Sequence, residues 1–310
     1  MYDSPELVLM KRIAERDYAG AMSLFRETRQ FSDTPPAVDA PWGRFEGKSE
    51  IRGFAEGFVG RFEAVNLTVQ PMFQTRSGGR SVTEIVLNFT VDGMIDQVPM
   101  FVVGDLGSRG TLEEVRLYCH SSFVPGLTPF RRPLFPSAHL EMGDPGLMTG
   151  AVKEYYVALH HMPALDVDRI LACMHPDCVF GGYGRYEGKP PEKGPEAMRR
   201  IYTHMASYIP SGVGMRYETL IDDGITGVIE WVHVVSDRGH EELGRIAMSG
   251  IAAYMRGEDG RLISIRISDY AWMETDILWG ETGTTREEAG KVNRVAEFPA
   301  GVGRKSQESL

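Results

Sequence analysis

The sequence predicts an α+β protein made of two tandem copies of one domain, and three observations lead there. The heptad Trp42-Gly43-Arg44-Phe45-Glu46-Gly47-Lys48 returns 141 positions later as Tyr183-Gly184-Arg185-Tyr186-Glu187-Gly188-Lys189, with five of seven residues identical and the other two aromatic for aromatic. Solenoid and propeller repeats recur every ~20–50 residues, so this spacing is that of a duplicated domain. Each half places helices first and strands after them, the order of an α+β unit and not of alternating βαβ units. At 310 residues the chain also has room for two domains, each of about 150 residues.

In the first copy Pro5 to Phe25 reads as helical, followed by a short strand over Thr28–Asp33. After the heptad, Ile51, Phe54, Phe58 and Phe62 recur at helical spacing and give one apolar face. Strand-like runs follow at Asn66–Gln74, Ser81–Val91, Gln97–Val103 and Leu112–Phe123, punctuated by Ser77-Gly78-Gly79, Asp92-Gly93 and Ser108-Arg109-Gly110. The second copy repeats the order. Thr149–His161 and Asp166–Met174 read as helices, and Asp177–Phe180 as a strand. Met198, Ile201, Met205 and Ile209 line a further helix. Strands then run over Gly214–Ile221, Gly227–Val235, Glu242–Met255 and Leu262–Trp272, the last hairpin marked by Gly257-Glu258-Asp259-Gly260.

Further matches carry the duplication onward. Val82-Thr83-Glu84 aligns with Val228-Ile229-Glu230, and Leu112 to Arg116 with Leu262 to Arg266, at offsets of 146 and 150. The expected domains are therefore 1–124 and 148–280. A Pro- and Gly-rich linker over 125–147 joins them, and a polar extension follows over 281–310.

Composition narrows the function. A formal charge of −10 argues against nucleic acid, whose phosphates need clustered Lys and Arg. No apolar run approaches the ~20 residues of a membrane span, and the N-terminus lacks a signal-peptide layout. Cys119, Cys173 and Cys178 make no disulfide framework, so a reduced, cytoplasmic setting is expected.

The segment Asp177-Cys178-Val179-Phe180 leading into Gly184-Arg185-Tyr186-Glu187-Gly188, and the closing run Gly260 to Arg266 before Asp269-Tyr270, carry a resemblance. With the element order, they make both copies resemble the nuclear transport factor 2-like superfamily, in particular its SnoaL-like polyketide cyclases, limonene epoxide hydrolase and scytalone dehydratase. The resemblance implies two cone-shaped α+β barrels, helices packed on a curved, mostly antiparallel sheet around an apolar pocket, paired as an intrachain pseudo-dimer. It specifies fold better than function, since the superfamily holds enzymes, ligand binders and assembly modules.

The resemblance to limonene epoxide hydrolase puts a catalytic acid on the last strand at Asp269 and a second acid where this chain has His233. Strand alternation independently groups Trp231 with His233, and Ile267 with Asp269. An imidazole and a carboxylate meeting across an apolar bowl form an acid–base pair, the carboxylate raising the basicity of the imidazole. In the first copy the equivalents of Trp231, His233 and Asp269 are Ile85, Leu87 and Cys119. The first copy is thus expected to be structural and the second catalytic. The alternative active pocket, through Asp33 and His120, is weaker. His120 alternates with Arg116 and Tyr118 on the opposite face, and Asp33 precedes Pro35-Pro36 as a turn residue. Glu84 and Glu230 fall on the face opposite Trp231 and His233 and suit an interface role.

Seven aromatics of the second copy surround the expected pocket: Tyr155, Phe180, Tyr183, Tyr186, Trp231, Tyr254 and Trp272. Each alone reads as core; together they favour a flat, apolar ligand such as an aromatic or polycyclic compound. No cofactor or metal is expected. Cys173-Met174-His175-Pro176-Asp177-Cys178 has no second ligand pair at finger-like spacing, and adjacent His160 and His161 point about 100° apart on a helix. Gly181-Gly182 lacks the Lys-Ser/Thr ending of a phosphate loop. The expectation is a cofactor-independent lyase, a dehydratase or an aldehyde- or formaldehyde-releasing type. Cyclase, isomerase, epoxide hydrolase and non-catalytic ligand carrier are the alternatives, and homo-oligomerisation is left open.

Overall fold

The computed structural model of the chain describes residues 3–28, 34–40, 43–61, 65–91, 93–119, 145–161, 165–182, 192–208, 214–236 and 245–268. The chain divides into two compact units, Met1–Arg131 and Arg132–Leu310.

In the first unit α1 (Pro5–Ala14) and α2 (Tyr18–Ser23) precede β1 (Ala37–Ala40), β2 (Gly43–Glu46) and α3 (Gly47–Arg61). Four long strands follow: β3 (Val65–Ser77), β4 (Arg80–Val91), β5 (Met94–Leu106) and β6 (Leu112–Cys119). In the second unit, α4 (Gly150–Tyr156) widens into a π-type turn over Val157–His161 and is followed by α5 (Val167–Ala172). Then come β7 (Met174–Gly182), β8 (Glu192–Lys193) and α6 (Pro195–Tyr208). The unit closes with β9 (Gly214–Asp222), β10 (Thr226–Ser236), β11 (Arg245–Arg256) and β12 (Leu262–Ser268). Each unit forms a six-stranded mixed sheet, ordered β2-β1-β6-β5-β4-β3 in one and β8-β7-β12-β11-β10-β9 in the other. The pairings are antiparallel except β1 with β6 and β7 with β12. This is the tandem α+β architecture the sequence predicts.

Periodicity explains the cores. Ile51, Phe54 and Phe58 of α3 are buried against Leu9 and Ile13 of α1 and against alternate residues of the strands, among them Leu87, Met100 and Leu117. Phe62 lies outside the described residues. Corresponding caps recur: Asp17 accepts from the Gly20 backbone N–H at 2.9 Å, and Asp166 from that of Arg169 at 3.0 Å, each satisfying a donor at a helix start.

Of the strand expected over Thr28–Asp33 only Thr28 is described, and it lies in no strand; residues 29–33 lie outside the described residues, and the first strand among the described ones is Ala37–Ala40, beyond Pro35-Pro36. It pairs antiparallel with β2 and in parallel with β6, Val38 opposite Val115. Gly47 opens α3 at φ 77° with its N–H on the Pro36 carbonyl at 2.8 Å. Its counterpart opening α6 is Gly194, at φ 87° with its N–H on the Cys178 carbonyl at 3.1 Å. A left-handed backbone favours glycine at both places. The sequence copy at 183–189 itself lies outside the described residues.

Candidate functional site

Strand register tests the alignment of the copies. Leu87 on β4 stands opposite Val98 on β5 and Val69 on β3. His233 on β10 stands opposite Met248 on β11 and Met215 on β9. These are the same offsets, 146 for β3 and β4 and 150 for β5, so Leu87 and His233 hold one register position in two sheets. Ile85 and Trp231 likewise correspond, opposite Met100 and Gly250. In β10 the core residue Ile229 precedes Trp231 and His233 at steps of two, along a pairing with β11 that runs without a bulge.

In the first unit these positions are filled with core. Ile85, Leu87, Met100 and Cys119 are all wholly buried in one apolar cluster with the helices. Cys119 pairs opposite Met100. Leucine and isoleucine carry no titratable group, and the Cys119 thiol is wholly buried in their cluster.

The second unit assembles three of the expected aromatics around one residue that sequence reasoning missed. Tyr155 of α4, Phe180 of β7 and Tyr254 of β11 are buried, and Tyr202 of α6 joins them. The Tyr155 and Tyr202 hydroxyls are 2.9 Å apart, and Tyr254 donates its hydroxyl to Tyr155. Ring centroids lie 4.7 Å apart for Tyr155 and Tyr254 and 6.0 Å for Phe180 and Tyr202. Burial, and then the neighbouring phenols, push Tyr155 well above the usual phenol range; burial does the same to Tyr254. These groups are neutral hydrogen-bond donors at any physiological pH. Tyr202 was legible as the residue four positions after buried Met198 on α6.

At the start of the same strands the polarity is reversed. In the first unit the Glu6 carboxylate, wholly buried, accepts from Ser4 at 2.6 Å, Thr83 at 2.8 Å and Ser81 at 2.7 Å. Gln74 donates to Ser4 and Thr83 at 3.0 and 3.2 Å. The second unit has Val152, Gly227, Ile229 and Leu220 at the positions of Glu6, Ser81, Thr83 and Gln74. Helix α4 lies so close there that a side chain on Gly227 would meet Val152 at 2.5 Å. The α4 N-terminus is held instead by Asp222, which accepts from the Thr149 N–H at 2.7 Å and pairs with Arg256 at 2.6 Å. Burial would raise the Asp222 carboxyl, but the hydrogen bonds from Arg256, Gly224 and Thr149 together outweigh it and lower it.

The remaining candidates fall as follows. Asp269, Tyr183, Tyr186 and Trp272 lie outside the described residues, as do Asp33 and His120. Trp231 and His233 are described by backbone alone. Glu84 and Glu230 are both wholly buried at positions alternating with Ile85 and Trp231. Burial pushes the Cys173 thiol up to about 11 and Cys178 to about 12, and both belong to the core cluster. Thiols so placed stay protonated and are poor metal ligands at neutral pH. Among the described residues no group of three or more His, Cys, Asp and Glu comes together as a metal site, and no helix is long and apolar enough to cross a membrane.

Residues 152–265, within the second unit, match the SnoaL-like domain family. Solved structures similar to this chain include a protein with a ketosteroid isomerase-like fold from Catenulispora acidiphila, in complex with trimethylamine. It is 17% identical, with a TM-score of 0.32, covering 39% of this chain and 90% of its own. Another is the epoxide hydrolase/cyclase-like enzyme SalBIII of salinomycin pyran-ring formation, at 16% identity and a TM-score of 0.27, covering 33% and 76%. A third is a Mycobacterium tuberculosis protein in complex with estradiol-17beta-hemisuccinate, at 16% identity and a TM-score of 0.31, covering 39% and 98%. No curated protein sequence matches the chain.

Proposed function

We propose that the SnoaL-like second unit is a cofactor-independent acid–base enzyme acting on an aromatic or polycyclic apolar small molecule, with lyase chemistry as its reaction. The observation that carries this reading is the register identity of His233 with Leu87. One fold keeps a core leucine at that position and the other a group that titrates near neutrality. His233 takes a proton from a carbon activated by a neighbouring substrate carbonyl or phenol, and Asp269 orients the imidazole and stabilises its charged form. The phenols of Tyr155 and Tyr254, hydrogen-bonded to one another and to Tyr202, form a neutral, ordered part of the wall that does not surrender protons, because burial makes them weaker acids than free tyrosine. When the C–O bond breaks, the proton held by His233 leaves with the departing hydroxide as water, and the imidazole returns to its neutral state. Phe180, Tyr183, Tyr186, Trp231 and Trp272 supply the flat apolar surface. The first unit serves as a structural partner.

Cyclisation or isomerisation uses the same proton transfers, and the product separates these from elimination. The test is turnover of hydroxylated aryl substrates by the full chain, followed by mass spectrometry, beside calorimetric binding. His233→Ala and Asp269→Asn are expected to lose turnover and keep binding. Turnover unchanged in both variants sinks the acid–base assignment and favours a ligand carrier.

A further inference from the structure

We infer that Gly250 sets the size of molecule the second unit admits, an inference that rests on that unit holding the site. Gly250 lies in the interior of β11, is buried, and stands opposite Trp231 on β10. A glycine in a strand interior loses cross-strand packing and weakens the strand, and it marks a close approach of a ligand or another chain segment. The first unit displays the filled form of the same position. There Met100 stands opposite Ile85 on one side and Cys119 on the other, each at 0% exposure. The side chain of Met100 therefore occupies the centre of the row whose flanks correspond to Trp231 and Asp269. Two residues along β5 lies Val102, buried in the same cluster, where β11 has Ala252.

The second unit has thus removed a methionine side chain between the strand that carries His233 and the strand that leads to Asp269. The change falls one same-face cross-strand pair along from His233, which stands opposite Met248 where the first unit has Val98 opposite Leu87. A flat ring lying over Gly250 would have its edge carbons within reach of both strands, whereas a methionine there closes the row, as it does in the first unit.

The experiment measures binding of two fluorescent probes, 2-naphthol and 1-hydroxypyrene, to the full-length chain and its Gly250→Ala and Gly250→Met variants. Unfolding temperature is followed in parallel. Gly250→Ala is expected to weaken the larger probe by ~10-fold or more and the smaller by less, since one methylene in a pocket is worth ~10–200-fold. Gly250→Met is expected to abolish binding of both while the chain remains folded, because the first unit already accommodates methionine there. Wild-type affinity for both probes in a folded Gly250→Met variant overturns the inference. Equal loss of both probes in Gly250→Ala, with a falling unfolding temperature, also overturns it, by making the glycine a packing partner of Trp231. The underlying reading is separated by His233→Ala, which must bind both probes as wild type does. Failure of the unaltered protein to bind either probe overturns the second-unit site itself.

Discussion

The inner sheet faces of the two units bury their polarity at different places along the same strands. In the first, a carboxylate and three hydroxyls are closed into a network where α1 meets β4, and the middle of the sheet is leucine, isoleucine and methionine. In the second, valine meets glycine where α4 meets β10, and the middle of the sheet carries the His233 position. In the Glu6 network the three hydroxyls all aim at the carboxylate, while the buried Oε1 of Gln74 beside them has no hydrogen-bond partner among the described residues. Such a network fixes a helix on a sheet but does no chemistry. The second unit fixes its helix from outside through Asp222 and Arg256. The buried hydroxyls of the second unit lie elsewhere, on Tyr155 and Tyr202.

The sharpest way to break this comparison is to exchange the distinguishing residues. His233→Leu puts the first unit's residue into the second, and turnover is expected to fall by ~10²–10⁴, the range for a lost general acid or base. The fold should survive, since leucine is native to that register position. Leu87→His is expected to create no activity and to lower the unfolding temperature by several degrees, because an imidazole enters an apolar cluster without a partner. Activity gained by Leu87→His, or kept by His233→Leu, overturns the division of labour.

A next-largest effect belongs to the first unit. Glu6→Ala leaves Ser4, Ser81 and Thr83 without their shared acceptor and is expected to cost about 3 kcal/mol in urea unfolding, consistent with losing bonds to a buried charged group. Turnover by the second unit should stay within about twofold, since Glu6 makes its hydrogen bonds within the first unit. Replacing Glu6 and Ser81 together with the valine and glycine of the second unit should recover part of the loss if the two solutions are interchangeable.

Much of this was legible in the sequence. The element order, the strand spans and the alignment of Leu87 with His233 follow from periodicity and turn residues, which act locally. Three features were not. The strand at Ala37–Ala40 is short, and besides its local antiparallel pairing with β2 it rests on the parallel pairing with β6, a long-range contact without a local signature. The counterpart of Gly47 is Gly194, because the backbone demands a positive φ at the helix start while leaving the surrounding letters free to drift. Tyr202 escaped because a single tyrosine on a helix reads as core, and its importance comes from the hydroxyls that Tyr155 and Tyr254 bring to it. Tyr155, Phe180 and Tyr254 share one buried cluster, and their service as a ligand wall stays a proposal. The candidate pair of His233 and Asp269 remains the sequence's proposal.

Within the phenol chain a smaller change is expected. Tyr202→Phe removes one hydroxyl from the 2.9 Å pair with Tyr155 and should cost about 1 kcal/mol, the typical net worth of a hydrogen bond. If the chain positions a donor for the substrate oxyanion, kcat falls more than KM changes; if the residue is purely structural, only the unfolding free energy moves.

The smallest effect near neutrality is the one that grows outward in opposite directions of pH. In the first unit burial would raise the Asp105 carboxyl, but Arg80 and Arg116 outweigh it and hold it at about 2, against an ordinary value of 3.8. A folded value below the unfolded one means that the unfolded chain binds the proton first. This stabilisation is complete above about pH 4 and is lost as pH falls towards 2. Asp222 of the second unit shifts the same way, so acid weakens both units. The phenols act with the other sign and are found in the second unit. Tyr155 and Tyr254 keep their protons in the folded state well beyond pH 10, the ordinary phenol value, while the unfolded chain gives them up there. The folded second unit is therefore expected to lose stability as pH rises above about 10, and Cys173 and Cys178, pushed up to about 11 and about 12, add to that loss. Phenolate absorbance during alkaline titration reads this directly. Two tyrosines should ionise only together with unfolding, and Tyr155→Phe combined with Tyr254→Phe should remove that coupled step. Smooth ionisation of every tyrosine near pH 10 in the folded protein would mean that the phenol chain is open to water, and that the second unit's inner wall is not the dry hydrogen-bonding surface its chemistry needs.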